Sequence, residues 1–250
     1  MGNSESKSEK LTSTHLPMAG GYNFRDLGGM KNRAGQRIKP GMMIRSDDLC
    51  NLTDEDLNYL ADIPLISIVD FRSDQEAKAA PDKLPESVIH YFPLNIDPGN
   101  LAGIVEQGED MADAEEMMNM LYKLLVTDPI CVGRYKEFFA LLHDETNIPL
   151  LYHCSAGKDR TGIATALFLY SLDFDLETIV EDYLISNVYL AGKYKKYIDA
   201  MPQLQPLFET KPQYLQHAFN EIKLRHGTVE RFLKETLCVD FCKLRKIYLQ

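Results

Sequence analysis

The sequence predicts an α/β fold with a central, largely parallel sheet flanked by helices. Residues 65–71 and 150–152 are short apolar runs, the first rich in β-branched side chains, as strands covered on both faces are. Segments with helical apolar spacing lie between and after them. Each run also stops in polar groups, Asp70-Phe71-Arg72-Ser73 and His153-Cys154, at the strand end where open α/β sheets bind ligands.

A chain of 250 residues, 45% hydrophobic and 26% charged, suits a single globular domain of this class. No run of 18 apolar residues exists, so no transmembrane helix or stable membrane insertion is expected. The polar first residues carry no apolar secretory core, which predicts a cytoplasmic protein. Met1-Gly2-Asn3-Ser4-Glu5-Ser6 fits the short myristoylation pattern, but a solvated tail over residues 1–18 is the plainer reading. The five cysteines are odd in number, and Cys238-x3-Cys242 has no nearby Cys or His pair to complete a zinc site. Free thiols in a reducing compartment and no metal centre are therefore expected. A net charge of −10 argues against nucleic acid as a partner. A protein this acidic that handles an anion must gather its cations locally.

In chain order, two Gly pairs bracket Tyr22-Asn23-Phe24-Arg25-Asp26-Leu27, and a turn at Asn32-Arg33-Ala34-Gly35 leads to strand-like residues around Ile38 and 42–45. Arg25 and Asp26 read as a structural ion pair; Arg45 and Arg72 read equally as crevice or surface residues. Thr53-Asp54-Glu55-Asp56 resembles a capping box opening a short helix that buries Leu57, Leu60 and Ala61. Residues 88–92 form a further strand, closed by Pro93, and 97–112 read as loop. Apolar spacing predicts helices over 112–125 and 132–143. Asp175, Thr228 and Asp240 cap later helices, and residues 189–226 read as short surface helices joined by Pro breaks.

The stretch from Pro149 to Tyr170 organises the rest. An apolar strand stops at His153-Cys154, a small loop follows, and an apolar helix restarts from Thr161. A loop of this length ending on a helix N-terminus can aim successive N–H groups at one centre, and such sites bind phosphate. Arg160, separated from Cys154 by five residues, can clamp two oxygens in a bidentate way that Lys cannot. The same field favours the thiolate of a cysteine placed in it. Cys154 is thus the reactive cysteine of the five, with Ser155, Ala156, Gly157 and Lys158 as the cradle and Thr161 as a hydroxyl donor to the sulfur. His153 organises the loop, since a thiolate needs no base.

His153-Cys154-Ser155-Ala156-Gly157-Lys158-Asp159-Arg160-Thr161-Gly162 resembles the signature of the protein tyrosine phosphatase superfamily. Together with Asn23-Phe24-Arg25-Asp26-Leu27-Gly28-Gly29, the match narrows to its atypical bacterial branch, with support from Asp70-Phe71-Arg72-Ser73 and Gly227-Thr228-Val229-Glu230. The resemblance spans about residues 20–250 and implies a tyrosine-phosphatase-like domain over 19–250 with a helical lid over 189–226. It also implies a two-step mechanism without metal or cofactor: Cys154 attacks phosphorus, Arg160 and the loop amides hold the phosphoryl oxygens, and an acid protonates the leaving oxygen. The branch points to Asp159 as that acid, with Asp70 as the competitor; Asp70 as a brace of the loop is the alternative. Lys158 is associated in this branch with phosphoinositides.

The expected activity is hydrolysis of phosphotyrosine, with phosphoserine, phosphothreonine or phosphoinositides as further substrates. The expected partners are a phosphorylated protein or small phosphoester and the phosphate ion. Competing readings are a dedicated inositol-phosphate or lipid phosphatase, a sulfurtransferase and a phosphate-binding module without turnover. Acidic residues 106–116, if they border the crevice, favour small phosphoesters over polyanionic lipids.

Overall fold

A computed structural model of the chain describes residues 12–98 and 114–250. Six short strands form one mixed sheet, β1 Thr14–His15, β2 Arg25–Asp26, β3 Met43–Ser46, β4 Ser67–Asp70, β5 His90–Pro93 and β6 Leu150–His153. Their order is β1-β2-β3-β6-β4-β5. β3, β6, β4 and β5 run parallel, while β1 and β2 continue the sheet antiparallel.

Alternation along the strands sorts side chains between two apolar layers. Met43, Val69, Leu150 and Tyr152 enter the larger one, and Ile44, Ile68 and Leu151 the smaller. α1, Asp54–Asp62, covers the smaller layer with Leu60 after opening on the expected capping box of Thr53 and Asp56. Leu57 is only partly buried against it. α2, Asp74–Ala79, opens on a second box, Ser73 with Glu76. The larger layer is covered by α3, Ala114–Thr127, α4, Pro129–Leu142, and α5, Arg160–Ser171. Residues 161–169 of α5 are all buried. A helix that is apolar all round belongs inside, so the loop before it is held on one side by a core strand and on the other by a core helix. α6, Leu176–Leu184, α7, Ser186–Ala200, α8, Pro212–His226, and α9, Phe241–Tyr248, complete the chain. Asp175 and Asp240 cap α6 and α9, and Thr228 caps the turn at Val229–Arg231, as expected.

Three expectations change. The tail ends earlier than residue 18: β1 pairs with β2, Leu16 and Met18 are buried, and the hydroxyl of Ser13 donates to Asp182. The myristoylation pattern and residues 99–113, with most of the acidic stretch, lie outside the described residues. Arg25 and Asp26 do not pair, because adjacent strand residues face opposite ways; Arg25 reaches Asp182, and Asp26 accepts from the amides of Gly28 and Gly41. Finally, residues 189–226 are not one surface unit. α7 is largely exposed, whereas α8 buries Tyr214, Leu215, Ala218, Phe219 and Ile222 in the main core.

Candidate active site

β6 delivers Cys154 at the carboxyl edge of the sheet, 2% exposed, and α5 begins six residues later at Arg160. The carbonyls between them are held from outside. Ser155 O accepts from the amide of Asp48 at 3.4 Å and from Lys193 Nζ at 3.2 Å. Ala156 O accepts from Asn23 Nδ2 at 3.1 Å. Gly157 O accepts from Asn23 Nδ2 at 3.1 Å and Arg45 Nη2 at 2.7 Å. Each peptide is planar and trans, so a carbonyl drawn outward turns the next N–H inward. The N–H groups of residues 155–160 donate to no acceptor among the described residues. The result is a ring of donors beside a helix N-terminus, which is a preformed anion site.

Gly157 is required by geometry as well as by conformation. Its φ is +64°, and a Cβ there would stand 2.2 Å from the carbonyl oxygen of Ser46. The loop rests directly on the end of β3, where no side chain fits.

Beneath it lies a buried charge cluster. Arg25 and Arg45 each donate to one oxygen of Asp182 at 2.9 Å, and all three side chains are almost fully buried. Arg25 also reaches Ser186 Oγ at 3.0 Å. Two guanidiniums share one carboxylate. Burial, and then the charge of Arg45, lower Arg25 to about 10. Neither arginine lies on the surface or in an open crevice; Arg45 braces the loop at Gly157 O, and Arg25 holds the Asp182 that Arg45 shares.

Arg160 is held by Glu76 of α2 through two parallel contacts of 2.7 Å, Nη1 to Oε2 and Nη2 to Oε1. Ser155 Oγ donates to the same carboxylate at 2.6 Å. Burial alone would raise Glu76, but the hydrogen bonds and charge of Arg160, with those of Ser155 and the Ser73 amide, bring it from 4.5 to about 2. The fork fixes the plane of the guanidinium before any ligand arrives.

Asp159 precedes α5 without capping it. It accepts from Tyr122 Oη of α3 at 2.7 Å and from Lys158 Nζ at 2.9 and 2.7 Å. Lys158 is therefore turned onto its neighbour, with its side chain 3% exposed, rather than into the cradle. Thr161 Oγ1 is buried and makes no hydrogen bond among the described residues, so the expected contact with the Cys154 sulfur is not formed.

Asp70 stands apart from this group. Its carboxylate accepts from the amide, Nε and Nη2 of Arg72 and, at 2.7 Å, from Tyr91 Oη. Arg72 also pairs with Asp82 at 2.7 Å, and His153 Nε2 lies 3.2 Å from Asp82. Asp70, Asp82 and His153 are close enough to hold a metal ion, but Arg72 already sits on both carboxylates. On the other flank, Lys193 of α7 contacts Asp47 and Asp48 at 2.8 and 2.9 Å, which brings this helix against the loop.

The structure thus brings together Cys154, the loop residues, Asp159 and Arg160, and sets Asp70 in a separate network. Glu76, Tyr122 and Asp182 are not expected at the site from the sequence; of the lysines on residues 189–226, Lys193 is the one that reaches the loop, at Ser155 O. Ser73-x-x-Glu76 marks a capping box but not the second contact to Arg160. Asp182 carries a readable signal, since it lies three residues after Ile179 on the apolar face of α6. Tyr122 carries none, because a tyrosine on a buried helical face is ordinary core.

Comparison with known proteins identifies the family. The model of the tyrosine phosphatase family matches residues 16–250. A provisionally named tyrosine-protein phosphatase of Cupriavidus necator is 31% identical over 242 residues, covering 91% of this chain and 85% of that protein. The triple specificity protein phosphatase PtpB of Mycobacterium tuberculosis is 27% identical over 220 residues, covering 75% of this chain and 71% of its own. The solved catalytic core of Siw14 covers 81% of this chain and 88% of its own at a TM-score of 0.42 and 16% identity, too slight a likeness to add to the assignment. With its family model matched from residue 16 to residue 250, the chain belongs to the tyrosine phosphatase family.

Proposed function

We propose that this cysteine-dependent phosphatase hydrolyses phosphotyrosine through a phosphocysteine formed on Cys154. The observation that carries the reading is the cradle: carbonyls of Ser155, Ala156 and Gly157 are bonded outward, and Arg160 is locked in plane by Glu76. In the first step the Cys154 thiolate forms the S–P bond as the P–O bond to the leaving group breaks. Arg160 and the amides of 155–160 hold the phosphoryl oxygens, whose charge they are already aimed at. Asp159 gives its proton to the leaving oxygen. In the second step water attacks phosphorus, the P–S bond breaks, Asp159 takes the water's proton, and phosphate leaves. Each step balances with these groups alone, so the reading calls for no metal or cofactor.

Asp159 is preferred to Asp70 because it adjoins Arg160 in the loop, whereas Asp70 is closed off by Arg72 and Tyr91. Thr161, with an unpartnered hydroxyl, is a donor available to the sulfur. Lys158 is bonded to Asp159, which favours phosphotyrosine over polyanionic phosphoinositides. The triple specificity in the name of the mycobacterial relative is the reason to include phosphoserine, phosphothreonine and lipid substrates in the assay. Five free cysteines fit a reducing cytoplasm, and no helix among the described residues is long and apolar enough to cross a membrane.

The test is acid quenching during turnover of a radiolabelled phosphotyrosine peptide. Label is expected on Cys154 and absent from Cys154→Ser. Turnover by Cys154→Ser, or label on another residue, would overturn the assignment.

A further inference from the structure

Two tyrosines beside the loop have no task in the steps above. Tyr122 of α3 is fully buried, with its hydroxyl 2.7 Å from Asp159 Oδ1 and 2.6 Å from the hydroxyl of Tyr183 of α6. A hydroxyl carries one proton, and an ionised carboxylate only accepts. The proton of Tyr122 therefore points at Oδ1, and the proton between the two phenols belongs to Tyr183. The chain runs in one direction, from Tyr183 to Tyr122 to Asp159. Burial, followed by the nearby Asp159 carboxylate, holds both phenols well above their ordinary value, so both stay protonated donors. Their rings are fixed by packing: Tyr122 meets Tyr183 edge-on at 6.2 Å and Tyr214 at 5.5 Å.

We infer that Tyr122, backed by Tyr183, is a positioning residue for proton transfer, occupying Oδ1 of Asp159 so that Oδ2, which Lys158 Nζ contacts at 2.7 Å and frees by staying on Oδ1 alone, carries the proton delivered to the leaving oxygen. The inference rests on Asp159 being the proton donor. When the P–O bond breaks, its electron pair stays on the leaving oxygen, which takes the proton from Oδ2. The carboxylate left behind meets a hydroxyl already aimed at it, which stabilises the charge as it develops. In the second step the proton of the attacking water returns to Oδ2. Tyr122 and Tyr183 keep their own protons throughout.

A hydroxyl that merely filled a buried space would affect all substrates alike. The test is therefore a series of aryl phosphates with leaving groups from activated nitrophenols to plain phenols. Tyr122→Phe keeps the ring and is expected to lower kcat about 10-fold or more on the poorest leaving groups and less than about twofold on the best, with KM unchanged. Tyr183→Phe shifts kcat in the same pattern by less. If Tyr122→Phe melts out, Tyr183→Phe carries the test, since it leaves the Tyr122 contact in place. Equal loss across the series, or no loss, overturns the inference.

Asp159→Asn in the same series separates the two claims. A flat response there means that the acid is misassigned, and the inference falls with it. A steep response there with a flat one for Tyr122→Phe sinks the inference alone. Adding Tyr122→Phe to Asp159→Asn is expected to produce no further leaving-group dependence; a further change shows that the tyrosine acts by another route.

Discussion

β4 and β6 are adjacent parallel strands, aligned so that Asp70 lies beside His153, and both end in polar groups at the same edge of the sheet. Their ends do opposite things. After β4 the chain closes on itself: Asp70 is bonded by Arg72 and Tyr91, and Arg72 by Asp82. After β6 the bonds run the other way. Carbonyls are drawn outward by Asn23 and Arg45, Arg160 is held along one edge by Glu76, and the loop N–H groups have no acceptor among the described residues. A buried charge with protein partners on all sides is structure, and one gripped from a single side is poised for a ligand. Sequence motifs at two strand ends look alike because both are short polar runs; the partners decide, and they come from distant elements.

The comparison can be broken most directly at β4. Asp70→Asn removes one of the two carboxylates on Arg72 while Asp82 keeps the guanidinium paired, so the loss is that of buried hydrogen bonds to a charged group, about 1.5–3 kcal/mol. Urea melts are expected to show that loss, with kcat at 25 °C nearly retained; a collapse of kcat in a protein of unchanged stability would make Asp70 chemical. Arg160→Lys does the reverse. It keeps charge but loses the bidentate fork, and kcat on phosphotyrosine peptide should fall by about 100- to 1,000-fold with little change in stability. Gly157→Ala tests the ring of donors itself. The positive φ and the approach to Ser46 imply about 1–3 kcal/mol of strain, released by displacing the loop. Competitive inhibition by inorganic phosphate should weaken accordingly, and unchanged phosphate binding would show that the loop has room.

The smallest effect concerns pH. Glu76 is held near about 2 rather than 4.5, so its contribution to stability is present above the ordinary carboxylate range and lost as pH falls toward about 2. Glu76→Gln should flatten the stability curve between roughly pH 5 and 2 in urea melts. An unaltered acid limb would mean that the fork to Arg160 does not hold in solution.

Much of this is legible in the amino-acid sequence. The residues 65–71 and 150–152 declare buried strands by continuous apolarity, and Thr53, Asp175 and Asp240 declare helix starts by capping chemistry. The loop reads directly because strand, glycine, arginine and helix follow one another within a dozen residues. What did not read was long-range. Arg25 beside Asp26 suggests a local pair, yet its partner is Asp182, and Glu76 meets Arg160 across 84 residues. α8 looked like a surface piece because Pro, Gln and Lys dilute its apolar stripe, although Tyr214, Leu215, Ala218, Phe219 and Ile222 share one face. Local patterns carry local structure, and a site assembled from β2, α2, α3 and α6 is written in none of them singly.

The two guanidiniums sharing Asp182 under the loop bear on how substrate arrives. The chain as a whole is acidic, with a net charge of −10, while this cluster leaves one positive charge in excess just below the cradle. At physiological salt, exposed charges are screened beyond about 8 Å. A phosphate dianion approaching through dilute buffer therefore meets repulsion from the acidic surface first and attraction only at the mouth. Added salt weakens the first more than the second, because the buried cluster is shielded by protein rather than by ions. Capture by this enzyme should thus quicken as ionic strength rises through the low millimolar range, the opposite of an electrostatically steered encounter.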